Sequence, residues 1–214
     1  MKIIVIEGID GSGKTTLIQH LTEKLKELKK PFQVFQGLGS SSVGLQIKEL
    51  FINGPTLSYE TRFHLALANM AQIQKENINP YFKTDTIVIL DRWFPSTFAY
   101  QIFPYLEHPQ KQKQILYLQK ILDLVVTRSI EVRDPQSFQF LLDIEPEKAL
   151  QRKQTQMNHQ PDWIENQPIS HFNLIRQGYL HFFQFYRIPN RTILKGDDSL
   201  EKNSQIILQK LKLK

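Results

Sequence analysis

Residues 3–6, Ile-Ile-Val-Ile, form an apolar, β-branched run without polar alternation, which predicts a short strand buried on both faces. Leu17, Ile18, Leu21, Leu25 and Leu28 recur at helical spacing, and Pro31 closes the helix they predict. Residues 32–35 read as a second strand, 43–51 as a short helix closed by Asn53-Gly54-Pro55, and 58 to about 79 as a long helix stopped before Pro80. Residues 86–90 are apolar apart from Thr86 and predict a third buried strand, with Asp91-Arg92 at its end. Residues 96–102 and 110 to about 127 read as helices, and 138–142 as a fourth strand ending at Asp143. Pro146 suits the first position of a helix that runs through Leu150 and Arg152. Residues 169–186 predict a further helix, 192–194 a fifth strand, and the last helix begins near Ser199.

Strands alternating with helices predict an α/β architecture: a five-stranded parallel sheet flanked by helices on both faces, with right-handed crossovers. The 214 residues suit one domain, 1–214, and no composition break or internal repeat divides them. Residues 154–167 are polar and lack strong periodicity, as a lid or a plain surface loop would; the lid is set at about 153–167. Ligands of such sheets bind beyond the carboxyl ends of the strands, where this reading places Phe35, Asp91-Arg92 and Asp143.

Composition narrows the chemistry. The absence of cysteine excludes disulfides, thiolate catalysis and cysteine-bound zinc. The histidines are scattered without a paired helical spacing that would suit a metal. A net charge of +6 raises the question of nucleic acid. Yet Lys24, Lys26, Lys29 and Lys30 interleave with Glu23 and Glu27 as on a solvated helix face, and there is no aromatic single-strand platform. The charge is therefore assigned to small anionic substrates and solubility, and nucleic-acid binding is not expected. No apolar stretch approaches a membrane span, and the first residues lack a signal peptide's layout, so cytoplasmic residence is expected.

Gly8-Ile9-Asp10-Gly11-Ser12-Gly13-Lys14-Thr15 fits G-x-x-x-x-G-K-[ST], between a predicted strand and a predicted helix. Backbone N–H groups of such a loop curl around an anion, and the helix N-terminus adds partial positive charge. This predicts a P-loop NTPase fold with a lid segment. Gly8, Asp10, Gly11, Ser12, Gly13, Lys14, Thr15 and Thr16 would form the ATP site, with Lys14 on the β- and γ-phosphates and the Thr15 hydroxyl on Mg²⁺.

Further motifs stand in order: Glu7-Gly8-Ile9-Asp10-Gly11-Ser12-Gly13-Lys14-Thr15-Thr16, Asp91-Arg92-Trp93, Ser96-Thr97-x-Ala99-Tyr100-Gln101, Asp162-x-Ile164-Glu165 and Ile175-Arg176-Gln177-Gly178-Tyr179-Leu180. From the first strand to the last helix this resembles the thymidylate kinase family. The resemblance implies transfer of the γ-phosphoryl of ATP to a nucleoside monophosphate, with dTMP the first candidate and Mg²⁺ as cofactor, in a homodimer built on the helices after strands two and three. It assigns Lys14, Arg92, Asp91 and Arg152 to catalysis. Asp10 would approach the nucleotide sugar and the metal shell, and Arg92 would hold the acceptor phosphate. Asp91 would organise the Mg²⁺ region, as a second candidate ligand, or position that phosphate, and Arg152 would contact the donor. Phe35, Met70, Ser96, Thr97 and Tyr100 would join Asp10 and Arg92 around the acceptor, with Tyr100 beside the deoxyribose and Thr97 at the base edge.

The departures define alternatives. After the second strand, Gln36-Gly37-Leu38-Gly39 holds neither the arginine nor the proline common in the family. The family's base-reading phenylalanine and arginine align with Ala66 and Met70, with Arg62 and Phe63 about one turn earlier. The lid arginine aligns with Trp163, and the phosphate loop has none, which leaves Arg152, Lys153 or His159 as replacements. These substitutions keep two other readings open: a kinase for a different nucleotide or nucleoside, and a nucleotide-binding module with weak or no transfer.

Overall fold

The computed structural model describes residues 1–53, 56–129, 134–155, 167–186 and 188–213. In chain order these form β1 (Lys2–Glu7), α1 (Lys14–Glu27), β2 (Phe32–Gln36), α2 (Gly44–Asn53), α3 (Tyr59–Ile73), β3 (Ile87–Asp91), α4 (Phe94–Thr97), α5 (Gln112–Arg128), β4 (Ser137–Asp143), α6 (Pro146–Gln154), α7 (Ile169–Phe185), β5 (Arg191–Lys195) and α8 (Leu200–Lys210). The five strands make one sheet in the order β2-β3-β1-β4-β5, with every pair parallel. The predicted α/β sheet is therefore present.

Alternation along the strands sorts the core onto two faces. Ile4, Ile6, Ile87, Ile89, Phe140 and Leu142 pack with Leu17, Leu21 and Leu25 of α1 and Ile207 of α8. Ile3, Val5, Val88, Leu90 and Leu141 face the other way, onto Phe63 and Ile73 of α3, Leu118 and Leu122 of α5, and Ile175 and Phe182 of α7. Both faces of β1 and β3 are covered, which is why their sequences are continuously apolar.

Two predicted helices differ in their hydrogen bonding. The helix that Ser58 caps, accepting the Thr61 N–H at 3.1 Å, does not stop before Pro80. Its winding widens to a π-turn over Gln74–Ile78 and tightens to a 3₁₀ turn over Asn79–Tyr81. Pro80 lies at the start of that last turn, where no proline N–H is required. The helix predicted over 96–102 begins at Phe94, becomes a π-turn over Phe98–Ile102 and ends in a 3₁₀ turn over Phe103–Tyr105. Such π-turns are frequent at functional sites, and this one carries Tyr100 and Gln101. Of the predicted lid, residues 156–166 lie outside the described residues. Among the described residues no helix is long and apolar enough to cross a membrane.

Candidate active site

β1 delivers the chain to the carboxyl end of the sheet, and the glycine loop turns it into α1. Gly11 has φ +78°, and a side-chain carbon there would lie 2.2 Å from the Ala149 carbonyl oxygen, so glycine is what lets the loop rest on α6. Lys14 is 7% exposed, and its Nζ donates to the Ile9 carbonyl at 2.9 Å. Burial and the nearby Arg92 charge lower its ammonium to about 8, against the opposing pull of Asp10, Asp91 and Glu7.

Arg92 follows β3 with φ +73°, a left-handed conformation uncommon for any residue other than glycine. Several contacts fix it there. Its N–H donates to the Ile6 carbonyl at 3.0 Å, and Nη2 donates to Asp10 Oδ1 at 2.7 Å. Nη1 donates to the Tyr179 hydroxyl at 2.6 Å, and the guanidinium lies 5.5 Å from the Tyr100 ring centre. Burial works against its charge, but Asp10, Tyr100, Tyr179 and Asp91 hold its pKa well above the usual arginine value. Burial likewise opposes the Asp10 charge, yet Arg92, Lys14 and Lys153 keep that carboxyl far below the usual range. Tyr100 donates to Asp10 Oδ2 at 3.1 Å, completing a ring of contacts around the carboxylate.

Behind Arg92 lies Glu7, which is fully buried. Its Oε1 accepts the Trp93 N–H at 2.5 Å and its Oε2 accepts the Ser96 hydroxyl at 2.6 Å. Ser96 also lies 2.7 Å from the Tyr179 hydroxyl. Glu7 therefore ties the residue after Arg92 and the start of α4 to β1. Burial pushes its carboxyl up from 4.5 to about 7, although Ser96, Arg92, Trp93 and Lys14 all favour the charge. Between these values the folded protein binds a proton that the unfolded chain has released, so this group makes stability fall as pH rises toward 7. We expect Glu7→Gln to remove that fall, read as the difference between wild-type and variant urea-unfolding free energies at pH 5 and pH 7.5. Glu7→Ala, which strands the buried Trp93 N–H, should cost about 1–3 kcal/mol at pH 5, where Glu7 holds its proton, and less at pH 7.5.

Asp10, Lys14, Arg92, Ser96 and Tyr100 border a cavity of about 810 Å³ at the carboxyl ends of the strands, within the range of small-molecule sites. Asp10, Gly11, Ser12, Gly13, Lys14, Thr15 and Thr16 line it, as do Met70, Asp91, Arg92, Ser96, Thr97, Tyr100 and Arg152. Two residues expected at the site lie outside this lining. Phe35 is not in the lining: it pairs in register with Leu90, faces the core and meets Tyr81, with ring centres 6.3 Å apart. Gly8 also stands outside the lining, set back against the Leu142 carbonyl. In place of Phe35, Gln36, Gly37, Leu38 and Lys48 bring the β2–α2 connection to the cavity. Gly37 is pressed onto the Arg92 carbonyl, where an added carbon would lie 2.1 Å away.

The predicted replacements are also placed. Phe63 is fully buried, and Arg62 Nη1 donates to the Leu57 carbonyl at 2.6 Å, so neither lines the cavity beside Ala66 and Met70. Arg152 and Lys153 do line it, whereas Trp163 and His159 lie outside the described residues. Arg152 Nη1 donates to the Gly196 carbonyl at 3.0 Å and Nη2 to Asp197 at 3.3 Å, which fastens α6 to the β5–α8 turn. Asp143 is turned to Arg176, which grips it through Nε at 2.7 Å and Nη2 at 3.0 Å. That ion pair anchors α7, the helix that brings Tyr179 to Arg92. Glu7, Lys48, Gln101 and Tyr179 are site residues to which the sequence reading gave no role. Glu7 and Tyr179 stood within motifs, and Lys48 carried no local signal.

The arrangement suits Mg²⁺. Thr15 is exposed on the cavity wall at the start of α1, and Asp91 Oδ1 is buried without a hydrogen-bond partner among the described residues. Hydroxyl and carboxylate oxygens are the ligands this hard cation prefers.

A glycine loop with a buried lysine, facing an arginine at a neighbouring strand end within one cavity, defines a P-loop enzyme of the phosphoryl-transfer class. The chain belongs to the thymidylate kinase family: the family model described as thymidylate kinase matches residues 6–207. The chain is 33% identical over 200 residues to a thymidylate kinase of Chlamydia felis, covering 92% of this chain and 91% of that protein. It is 32% identical over 203 residues to that of Chlamydia caviae, covering 94% and 92%. Against the thymidylate kinase of Caldanaerobacter subterraneus it is 29% identical over 194 residues, covering 90% and 86%.

Proposed function

We propose that the protein transfers the γ-phosphoryl group of ATP to dTMP, giving dTDP and ADP. The observation that carries this reading is the pairing of two anion grips in one cavity: the glycine loop with Lys14, and Arg92 at the end of β3, both acting on Asp10. The loop N–H groups and Lys14 bind the donor phosphates, while Arg92 orients the acceptor phosphate for in-line attack. An acceptor phosphate oxygen is already ionised and forms the new bond to the γ-phosphorus. The bond from that phosphorus to the β-phosphate oxygen breaks, and no general base is needed. Arg152 and Lys153 stand at the donor side to balance charge, and Lys48 adds a cation beside Gln36. Thr15 would hold Mg²⁺ with Asp91 as second ligand, and the bound ion would neutralise donor phosphate charge.

On this reading the chain is one kinase domain with residues 153–167 as its lid, working in the cytoplasm. We also propose a homodimer formed through α5, whose Leu116, Tyr117 and Leu124 are 54%, 61% and 59% exposed. Light scattering should then give twice the 25.2 kDa chain mass, and Leu124→Glu should return it to the monomer. The test of function is a coupled ADP-release assay with Mg-ATP against dTMP, dUMP, dCMP, UMP, dGMP and thymidine. The expected result is turnover with dTMP the best acceptor of that set. Failure to phosphorylate any of the monophosphates would sink the proposal.

A further inference from the structure

The side of the cavity built by α3 and the entry to α4 is the place for a flat base, because Ala66, Met70 and Trp93 make it apolar. Its polar members are Thr97 and Gln101, which are 3% and 8% exposed. The Gln101 side-chain amide makes no hydrogen bond with any described residue, so nothing in the fold fixes which of its two ends faces the cavity. Asn69, a buried amide on α3, is by contrast committed: it donates to the Gly37 carbonyl at 2.6 Å and accepts from Ser41 at 3.1 Å. Arg62 is turned to the Leu57 carbonyl, and no cationic side chain of α3, α4 or the following π-turn lines this wall among the described residues.

A fixed cation would discriminate bases by donating to a carbonyl and rejecting an amino group. A carboxamide does neither by necessity. It carries an acceptor and a donor side by side, and it exchanges them by turning about its last torsion. A 4-oxopyrimidine offers an N3–H donor and an O4 acceptor; a 4-aminopyrimidine offers an N3 acceptor and an N4–H donor. Gln101 satisfies either edge by turning over, and the Thr97 hydroxyl is likewise donor or acceptor.

We propose that the protein phosphorylates 4-aminopyrimidine deoxynucleotides, dCMP and 5-methyl-dCMP, as well as their 4-oxo counterparts, because Gln101 reads the base edge reversibly and no cation of α3, α4 or the π-turn, among the described residues, overrides it. This rests on the kinase reading above and extends its acceptor class. The step is unchanged: an oxygen of the 5′-phosphate takes the γ-phosphoryl group, the bond to the β-phosphate oxygen breaks, and dCDP and ADP result. A 5-methyl group filling the apolar slot is worth about 10–200-fold, so dTMP still leads dCMP. The informative comparisons are pairs matched at that methyl.

The experiment measures kcat/KM for dUMP against dCMP and for dTMP against 5-methyl-dCMP, with Kd for all four by titration calorimetry. Preferences below about thirtyfold for the 4-oxo member in both pairs uphold the proposal, and a larger preference in either pair overturns it. A site that truly reads the oxo edge rejects its analogue by about 10⁴-fold. Binding separates the two levels of argument: matched Kd values without turnover would fell the kinase reading and leave the base-edge inference standing. Gln101→Leu, which can neither donate nor accept, should weaken Kd for all four nucleotides by about tenfold while leaving both pair ratios in place. Met70→Arg, which adds a fixed donor to the same wall, should tilt them toward the oxo member by a similar factor. Unchanged Kd values for all four nucleotides in a folded Gln101→Leu protein would overturn the role given to Gln101.

Discussion

Lys14→Met is expected to lower kcat/KM by about 10³-fold or more while leaving the fold intact. Lys14 sits at the first position of α1 with its stem buried, and methionine keeps most of that apolar volume. What disappears is the ammonium, which donates to the Ile9 carbonyl at 2.9 Å and, on the proposed function, meets the donor phosphates. The charge it supplies acts where water is excluded, so its loss weighs far more on the transition state than an exposed lysine would. The coupled assay reads the rate, and the thermal midpoint separates chemistry from folding: a midpoint within a few degrees of wild type with turnover lost is the expected pair. Retained turnover would remove Lys14 from the mechanism. The same ammonium gives a pH signature. Because burial brings it down to about 8, free enzyme loses this charge as pH rises past 8, and kcat/KM for ATP should fall there. Bound phosphate favours the charged form, so kcat at saturating ATP should hold to higher pH.

What the sequence revealed and what it hid follow one physical division. β1, β3 and the glycine loop were legible because their information is local: a strand buried on both faces needs a continuous apolar run, and a phosphate loop needs its glycines at fixed spacing. Both π-turns were invisible, since a helix that widens by one residue keeps the same apolar face over its short length. Strand parity turns Phe35 from the cavity: its register partner Leu90 faces the core, so its own side chain does too, and the cavity lining begins at Gln36. Helical geometry disposed of Arg62 in a similar way: Phe63, Ala66 and Met70 share one inward face, and the residue one step before them points away. Glu7, Ser96 and Tyr179 come from β1, α4 and α7, and their shared hydrogen bonds exist only once those elements pack. No window of sequence contains that network. The family motifs did contain its members, which is why the resemblance reached further than periodicity.

Arg92→Met should reduce kcat/KM for the acceptor by about 10²–10³-fold, with the Kd for ATP changed far less. The guanidinium does two jobs that a shorter or uncharged chain cannot share. It neutralises Asp10 at 2.7 Å and donates to Tyr179 at 2.6 Å, and this pins its planar fork in the cavity. An acceptor phosphate then meets a donor array whose position is already set, which lowers the ordering cost of reaching the transition state. Methionine leaves the Asp10 carboxylate without its strongest counter-charge at the edge of the phosphate site, so like-charge repulsion of the incoming acceptor adds to the loss of grip. Arg92→Lys separates these contributions. It retains a positive charge near Asp10 but cannot also hold Tyr179 in a fork, and the expected loss is smaller, about 10–10²-fold. If the charge alone mattered, Arg92→Lys would match wild type. If Arg92 served only to brace Tyr179 and α7, both variants would lose thermal stability together and their acceptor KM would not move. The expected pattern is a rise in acceptor KM with a fall in kcat, graded from lysine to methionine, at nearly constant affinity for ATP.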